Sequence, residues 1–290
     1  MTLTQLEVFM AVVKEKSFTK AGLILGMTQS AVSHVISNLE AELGISLLVR
    51  DRRGVKTTEA GERVLVHVRE ILYRTSQIQQ DVSSLKKLES GTIKIGSFPS
   101  VSARLLPRIL SDFQVRYPGI ELILFEGTNQ EVRNWIHTRA VDVGFVSLPD
   151  EEFDTVSITQ DEMVVILPES HPLAHKTSIL IENIKAESFI LTKGGCEGLI
   201  LRIFHPFMPR IQFEVRETGT ILTMVQQGLG ITILPAMAIP SAVPHTSILH
   251  LNPPIYRQLG LAVRSLKTSA LCVLAFIEHV QNRIQTNKFE

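Results

Sequence analysis

The sequence predicts an α+β multidomain chain, in which a small helical domain is followed by a long helix and a larger α/β domain. Three patterns support this prediction. A helix, a sharp turn and a second helix occupy residues 18–43, apolar residues repeat at heptad spacing between 58 and 88, and strands alternate with helices from residue 91 onward. With 290 residues, 44% hydrophobic and 20% charged, the chain is long enough for two or three domains with separate cores.

The N-terminal domain begins with an amphipathic helix whose apolar face carries Leu3, Leu6, Phe9, Met10 and Val13. In the hairpin that follows, Leu25 and Val32 are expected to hold two helices together, and Gly26 supplies a positive φ at the turn. Thr28 is expected to cap the second helix with its hydroxyl. The predicted buried stripe of this helix is Ala31, Val32, Val35, Ile36 and Leu39. Its other face carries short polar side chains suited to phosphates and base edges, namely Gln29, Ser30, Ser33, His34 and Ser37.

A basic turn between two short apolar runs follows at 48–55 and predicts a β-hairpin wing. Arg52 and Arg53 lie at its tip, where they are placed to reach phosphates or the minor groove of DNA. Helices and wing together predict a winged helix-turn-helix at residues 1–58, and the alternative is an ordinary hairpin with a solvated polar face. Because the net charge of the chain is zero, DNA binding would depend on where the charges lie rather than on their sum.

A long linker helix is predicted over residues 59–89. Apolar residues recur there at alternating steps of four and three, with Thr75 as one polar member, which is the pattern of a coiled coil. The seam consists of Val64, Val68, Ile71, Thr75, Ile78, Val82 and Leu85. It favours a dimerising helix, and the alternative is that the stripe packs on the core of its own chain. A dimer would bring two recognition helices to two half-sites of an imperfect dyad.

Residues 90–290 have the pattern of an α/β domain. Strands are predicted at 92–96, 120–125, 142–146, 163–167, 189–191, 213–215, 231–234 and 259–263, and helices at 103–117, 130–139 and 269–285. In open α/β sheets the loops at the carboxyl ends of strands bind ligands. We find no Walker loop, dinucleotide fingerprint or nucleophile elbow in the sequence, so we expect no cofactor and no enzymatic activity.

The N-terminal 88 residues resemble the DNA-binding module of the LysR-type transcriptional regulators, and the chain is identified as a member of that family. The matching blocks, in chain order, are Leu6 with Phe9, SFTKA at 17–21, TQSAVS at 28–33, LEAELG at 39–44, LLVR at 47–50 and TTEAG at 57–61. Such blocks in order are far more specific than any one of them. The resemblance implies a regulator that binds double-stranded DNA at a dyad promoter site and changes conformation when a small-molecule effector binds.

The resemblance also implies which residues contact DNA. The family's glutamine in the TQSAVS block approaches bases, so Gln29 is expected to read a base edge, best an adenine. Arg50 is expected to brace the wing or to meet a phosphate. The family often has arginine where this chain has His34, so the electrostatic attraction there is expected to be weaker. The other predicted DNA-binding residues are Thr28, Ser30, Ser33, Arg52 and Arg53.

For residues 90–290 the resemblance implies a periplasmic-binding-protein-like effector domain, with a cleft between lobe one (91–161 and 266–290) and lobe two (162–265). Ser100 and Ser102 precede a predicted helix, so hydroxyl and backbone N–H groups are expected to converge on an anion or carboxylate. N-capping by a single serine is the alternative. Lys193 is the one cation near the predicted loops. The complete effector-binding prediction is Ser97, Ser100, Val101, Ser102, Thr128, Asn129, Thr192 and Lys193.

Cys196 and Cys272 are the two cysteines of the chain, too few for a disulfide framework or a zinc cluster. Cys196 lies in the loop KGGCE, and some relatives sense oxidants through a cysteine in a similar region, so a thiol-based redox-sensing regulator is one alternative function. Such a switch needs a resolving cysteine nearby, whereas Cys272 is predicted in the terminal helix. His171 and His175 flank a proline in a predicted loop, and we expect no metal site.

A second alternative is an α/β solute-binding protein or enzyme that does not bind DNA and whose N-terminal helices only dimerise. It would require export or a catalytic constellation. Charged residues 14–16 precede any long apolar run, so no signal peptide is predicted. No run of about 18 apolar residues predicts a membrane span, and we expect no membrane partner and a cytoplasmic location. The family resemblance implies tetramers of two dimers, whereas the heptad seam itself predicts only a homodimer.

Overall fold

The computed structural model describes residues 1–51, 54–84 and 90–286. The chain divides into two compact units, Met1–Val82 and Ser83–Glu290. The predicted contacts of Arg52 and Arg53, and the last seam residue Leu85, lie outside the described residues. Within the described ranges, no helix has the length and apolar character needed to cross a membrane. The same ranges contain no group of three or more His, Cys, Asp or Glu side chains placed to hold a metal ion.

The first unit is a three-helix domain with a wing and a long final helix. Its elements are α1 Leu3–Glu15, α2 Phe18–Leu25, α3 Gln29–Leu43, β1 Leu48–Asp51, β2 Gly54–Thr57 and α4 Glu59–Ser84. The side chains of Thr2, Ser17 and Thr28 each accept a backbone N–H at the start of α1, α2 and α3. Gly26 ends α2 with φ of 66°, as predicted for the sharp turn.

The core of the first unit is formed by the apolar stripes of α1 and α3 together with the start of α4. Its fully buried members include Phe9, Val12, Val32, Leu39 and Leu47. Gly61 lies where α4 passes the residue before the wing, and a Cβ at this position would collide with the backbone oxygen of Leu47. The TTEAG block therefore has a steric reason for its glycine.

The predicted heptad seam of α4 divides into two parts. Val68 is buried in the core of its own domain, and Val64 packs against that core. Ile71 and Ile78 are 36% and 65% exposed. The first part of the seam therefore packs on the core of its own chain, which was the alternative to dimerisation. It does so because the helix covers the open end of the three-helix core. The described second part leaves apolar side chains available for a partner helix.

The second unit contains two lobes built on strands β3 to β12. The strands are β3 Gly91–Ser97, β4 Ile120–Glu126, β5 Val143–Leu148, β6 Asp154–Pro168, β7 Ser178–Ile179, β8 Ser188–Thr192, β9 Arg210–Val215, β10 Thr232–Pro235, β11 Thr246–Leu251 and β12 Tyr256–Val263. The helices are α5 Pro99–Arg104, α6 Leu106–Arg116, α7 Asn129–His137, α8 Glu197–Phe204, α9 Thr218–Gln226 and α10 Leu271–Thr286.

Strand β6 runs through both lobes. Its first half, to Glu162, pairs with β12 in a sheet of order β4-β3-β5-β12-β6, and its second half pairs with β10 and β11. Strands β8 and β9 form a parallel pair in lobe two. In lobe one, α6 and α10 contribute to one apolar core and α7 to another. In lobe two, α8 and α9 contribute to separate cores.

The division between the lobes differs from the predicted one. Leu259, Leu261 and Val263 of β12 lie in the main core of lobe one, whereas the sequence division placed residues 259–263 in lobe two. The crossings fall instead at 162/163 in β6 and at 255/256 before β12, where the Met163 N–H donates to the Ile255 carbonyl at 2.8 Å. The short apolar pattern of β12 is compatible with the sheet of either lobe, so the sequence does not show which strands it pairs with.

Other elements also differ from the sequence prediction. The helix expected at 103–117 is divided into α5 and α6 at Leu105, and Pro107 lies at the start of α6. Proline is tolerated in a first helical turn but not in a helix interior. The first half of β6 and all of β11 were not predicted, because their polar residues weaken the apolar signal on which strand prediction depends.

Candidate functional site

The polar face of α3 is the candidate DNA-reading surface of the first unit. The Thr28 hydroxyl oxygen accepts the backbone N–H of Ala31 at 3.2 Å and lies 3.0 Å from the Ser30 hydroxyl oxygen. This complete cap fixes the start of the helix, as predicted. Gln29 and Ser30 are exposed in the first turn, where a helix presents its unpaired N–H groups.

Arg50 connects the wing to α3. Its Nη2 donates to the Ser33 hydroxyl oxygen at 3.3 Å, and its guanidinium carbon lies 4.1 Å from the centre of the Phe18 ring. A stacked guanidinium contributes cation–π attraction as well as hydrogen bonding. Of the two predicted roles for Arg50, bracing the wing is the one that these contacts favour.

His34 has a partner one turn further along the same exposed face. The Asn38 side-chain N–H donates to His34 Nδ1 at 3.2 Å. When Nδ1 of a neutral imidazole accepts a hydrogen bond, its proton is on Nε2, so His34 presents a donor to the surroundings. The sequence prediction did not include Asn38, although its i+4 spacing from His34 was a signal that could have identified it.

The acidic residues of α3 are occupied away from this surface. Glu40 Oε1 accepts the backbone N–H groups of Leu47 and Leu48 at 2.7 and 3.0 Å, which ties α3 to the beginning of the wing. The Glu42 carboxylate pairs with the N-terminal amine. Neither carboxylate therefore opposes an approaching phosphate directly.

The second unit contains a cleft between its two lobes. An inner cavity of about 60 Å³ adjoins an outer chamber of about 400 Å³, and the two share part of their lining. Loops at the carboxyl ends of strands contribute much of the inner wall, as expected for an α/β domain. The polar residues that line the inner cavity are Ser100, Asn129, Ser147, Thr192, Arg216, Thr218 and Arg257.

Arg257 is the buried centre of the inner cavity. It donates through Nε and Nη2 to Asp161 Oδ2 at 3.0 and 2.6 Å, and through Nη2 to the Ser100 hydroxyl oxygen at 2.6 Å. Its guanidinium also lies 5.0 Å from the Phe98 ring centre. Asp161 Oδ1 accepts the Met237 N–H at 3.0 Å. A charge in such a position is stable only because it is paired and hydrogen-bonded.

Four of the eight predicted effector residues line the cleft, and four do not. Ser100, Asn129 and Thr192 line the inner cavity, and Thr128 lines the outer chamber. The residues absent from both linings are Ser97, Val101, Ser102 and Lys193.

The structure shows why three of these four residues lie outside the lining. Helix α5 begins at Pro99 and its N-cap position is Phe98, so Ser100 and Ser102 lie inside the helix rather than before it. Val101 is fully buried in the core of lobe one. Lys193 is directed to an ion pair with Glu214, at 3.9 Å, outside the cleft lining.

Neither arginine of the cleft was predicted from the sequence. Lys193 was the predicted nearby cation, whereas Arg216 and Arg257 line the inner cavity. Arg216 directly follows β9, so the rule about carboxyl ends of strands was sufficient to find it. Arg257 carried no such signal, because its position depends on the pairing of β12 with β6, opposite Asp161.

The rim of the cleft carries an ion pair between the two lobes. Arg216 Nη2 of lobe two donates to Glu131 Oε2 of lobe one at 3.1 Å. The same oxygen accepts the Thr128 N–H at 2.6 Å in the capping box of α7. Hydrogen bonds from Thr128, with the charge of Arg216, hold the pKa of the Glu131 carboxyl below its ordinary value.

Cys196 lies beside Arg257 at the inner cavity. Burial raises the pKa of its thiol above the ordinary value, and the charge of Arg257, whose Nη1 lies 3.5 Å from Sγ, opposes only part of that rise. Cys272 is buried in the core of lobe one, whereas Cys196 packs against a core of lobe two. A protonated thiol whose potential partner lies in the other lobe does not favour the redox alternative.

Two family models match the chain. The one described as bacterial regulatory helix-turn-helix protein, lysR family, matches residues 3–62. The one described as LysR substrate binding domain matches residues 86–285, more than half of the chain. The first match contradicts the alternative in which the N-terminal helices serve only for dimerisation.

Individual proteins are similar over nearly the whole length. The HTH-type transcriptional regulator YvbU of Bacillus subtilis is 42% identical over 284 residues, 96% of this chain and 97% of the relative. A solved full-length OxyR variant of Pseudomonas aeruginosa is 24% identical, with a TM-score of 0.79 and coverage of 98% and 95%. Full-length CbnR, solved with its target DNA, is 22% identical, with a TM-score of 0.69 and coverage of 98% and 100%. At these identities the two structures show the fold alone.

Proposed function

The chain belongs to the LysR family of ligand-responsive transcriptional regulators, and we propose how its two candidate sites serve that function. The relatives are regulators, and we assign this chain no enzymatic activity. In the proposal, the first unit recognises double-stranded DNA and the second binds a small-molecule effector. The observation that carries the DNA-binding assignment is the capped, exposed start of α3, whose polar side chains have no role in the core.

We propose that the N-terminal end of α3 enters the major groove and that Gln29 reads a base edge. An amide pairs bidentately with adenine, which suits an exposed glutamine in the first turn. His34 would donate through Nε2 to a phosphate or base acceptor, and Arg50 would hold the wing against α3. The remaining proposed contacts are Thr28, Ser30 and Ser33, with Arg52 and Arg53 at the wing tip.

Replacement of Gln29 tests this proposal. The change Gln29→Ala is expected to reduce the preference for specific over random duplexes by about 1–3 kcal/mol. Fluorescence titrations of both duplexes at fixed salt would measure the ratio, since salt alone changes affinity strongly. Gln114→Ala, an exposed glutamine on α6 of the second unit, is the matched control. Unchanged discrimination by the Gln29 variant would refute base reading by this residue.

We propose a homodimer formed through the second part of the α4 seam. Exposed Ile71 and Ile78 support pairing of this helix with a second copy, and a dimer would double the number of phosphate contacts. Association of two dimers into a tetramer is the further expectation. Sedimentation of the wild-type chain and of an Ile71→Glu/Ile78→Glu double variant would measure both states.

We propose that an effector occupies the cleft and shifts the population of lobe orientations. The change would be transmitted through α4 to the spacing or bending of the DNA contacts. The Arg216–Glu131 pair supports this mechanism, because it joins the lobes at the rim of the cleft. A Ser100→Ala variant that responds fully to effector would count against Ser100 as a ligand contact.

A further inference from the structure

The two ends of the cleft differ in charge. Arg216 and Arg257 line the inner cavity, and among the described residues that line it there is no carboxylate. The outer chamber is lined by Glu126 and Glu217 as well as by Arg216. The inner end therefore favours a negative group, and the outer chamber favours a positive one.

Hydrogen bonding inside the cavity reinforces this difference in charge. Three polar side chains there each have an oxygen that already accepts a hydrogen bond from a protein N–H group. The Ser100 oxygen accepts from Arg257, Asn129 Oδ1 accepts the Ser147 N–H at 2.8 Å, and the Thr192 oxygen accepts the Gly194 N–H at 3.1 Å. The two hydroxyl hydrogens and the Asn129 amide hydrogens remain as donors. A cavity so rich in donors is complementary to a carboxylate, which only accepts.

Asp161 is the charge partner of Arg257 and is not among the residues that line the inner cavity. Both of its carboxylate oxygens are engaged, one by Met237 and the other by Arg257, and its side chain is 1% exposed. The carboxylate holds the guanidinium of Arg257 in position. A carboxylate that accepts two N–H groups of one guanidinium fixes that arginine and so preorganises it for a second anion.

A ligand that carried only negative charge would be repelled by the carboxylates of the outer chamber. Glu126 and Glu217 have no cationic partner in the described part of the chain. Glu131 does not line the chamber itself, but its Oε2 lies 2.9 Å from where a Cβ of Gly127, a lining residue, would be. If a ligand acid recruits Arg216, Glu131 becomes a third unpaired carboxylate. A positive group on the ligand would offset this repulsion.

We propose that the effector is a small zwitterion of the amino-acid class. Its carboxylate lies between Arg257 and Arg216 and accepts from Ser100, Asn129 and Thr192, and its ammonium group lies beside Glu126 and Glu217. Competition with Glu131 for Arg216 loosens the ion pair between the lobes. The inference rests on the proposed function, since it specifies the ligand of the same cleft.

Calorimetric titration of the full chain tests the ligand class. The probes are the twenty common L-amino acids, β-alanine and 4-aminobutyrate, each beside its deaminated acid and its decarboxylated amine, with sulfate and phosphate as simple anions. At least one zwitterion is expected to bind about tenfold or more tightly than either of its single-charge analogues. Equal binding of the deaminated acid, preferential binding of sulfate or phosphate, or binding of no zwitterion would overturn the proposal.

Two variants test the assignment of each end of the ligand. Asn129→Asp keeps an acceptor for the Ser147 N–H but turns donors into a negative acceptor, so affinity for the bound zwitterion is expected to fall about tenfold or more. Glu217→Gln is expected to reduce the preference for the zwitterion over its deaminated acid. Glu214→Gln, whose carboxylate pairs with Lys193 outside the cleft, is the control. Unchanged affinity in the first variant, or unchanged preference in the second, would contradict the assignment.

DNA binding by the same preparations separates this inference from the proposed function. Sequence-specific DNA binding by the wild-type chain together with failure of every zwitterion overturns only the ligand class. Absence of sequence-specific DNA binding with intact zwitterion binding overturns the DNA-binding proposal and leaves the ligand assignment standing.

Discussion

The two candidate sites of this regulator are built in opposite ways. On α3 the polar side chains are exposed and are positioned by neighbours in sequence, such as the Thr28 cap and the Asn38–His34 bond. In the cleft a buried arginine is positioned by Asp161, 96 residues away, and by Ser100, 157 residues away. On α3 a single exposed side chain can be substituted without disturbing the fold. In the cleft, substitution of one residue leaves its buried hydrogen-bond and charge partners unsatisfied.

The largest effect is expected from Arg257→Ala. The substitution leaves Asp161 buried without its charge partner, which costs about 3–5 kcal/mol in the free energy of unfolding. Urea denaturation of the second unit, followed separately from the first, would measure it. Arg210→Ala, at an exposed position of β9, is the matched control and is expected to change stability by less than about 0.5 kcal/mol. A small effect of Arg257→Ala would show that the cluster is not a structural unit.

The next effect is expected in the first unit, from Gly61→Ala. The new Cβ would collide with the Leu47 carbonyl oxygen, so α4 must shift at a cost of about 1–3 kcal/mol. Gly198→Ala, in α8, is the control because, outside its chain neighbours and the backbone of its own helix, no heavy atom lies within 4 Å of where its Cβ would be. Helix propensity predicts a gain of about 0.5–1 kcal/mol there. Thermal unfolding of both variants would reveal the opposite signs.

Cys196 offers a kinetic test of the cleft. Because burial raises the pKa of its thiol, less thiolate is present at neutral pH than in the unfolded chain. Reaction with a thiol reagent at pH 7.5 is therefore expected to be slower in the folded protein than in the unfolded chain. A Cys272→Ser background isolates the signal. A faster reaction in the folded state would contradict this expectation and would support the redox-sensing alternative.

The smallest effect concerns the ion pair between the lobes. Hydrogen bonds from Thr128, and then the charge of Arg216, lower the pKa of Glu131 in the folded state. The stabilisation from its carboxylate is therefore present above the unfolded pKa and is lost as pH falls through the folded pKa. Since the pair is exposed, we expect about 0.2–1 kcal/mol. Comparing the unfolding of wild type and Glu131→Gln between pH 7 and pH 3 would measure it. A difference that grows toward acid pH would contradict the assignment.

The contrast between the sites also explains how far the sequence could predict them. The turn at Gly26 and the cap at Thr28 follow from local patterns, and both were predicted. The division of the lobes and the role of Arg257 follow from the pairing of β12 with β5 and β6, which apolar alternation does not encode. Arg216 is an intermediate case. It directly follows β9, and loops at the carboxyl ends of strands commonly line ligand clefts, so its place in the cleft could have been predicted.

The central claim is tested most directly by the coupling free energy between ligand binding in the cleft and DNA binding by the first unit. The DNA site would be taken from promoters that the chain occupies in its genome, and the ligand from the zwitterion panel. We predict that saturating ligand changes DNA affinity, and that saturating DNA changes ligand affinity by the same factor, of about 5- to 150-fold. Two affinities that are both measurable and independent of each other would contradict the claim that the cleft regulates DNA recognition.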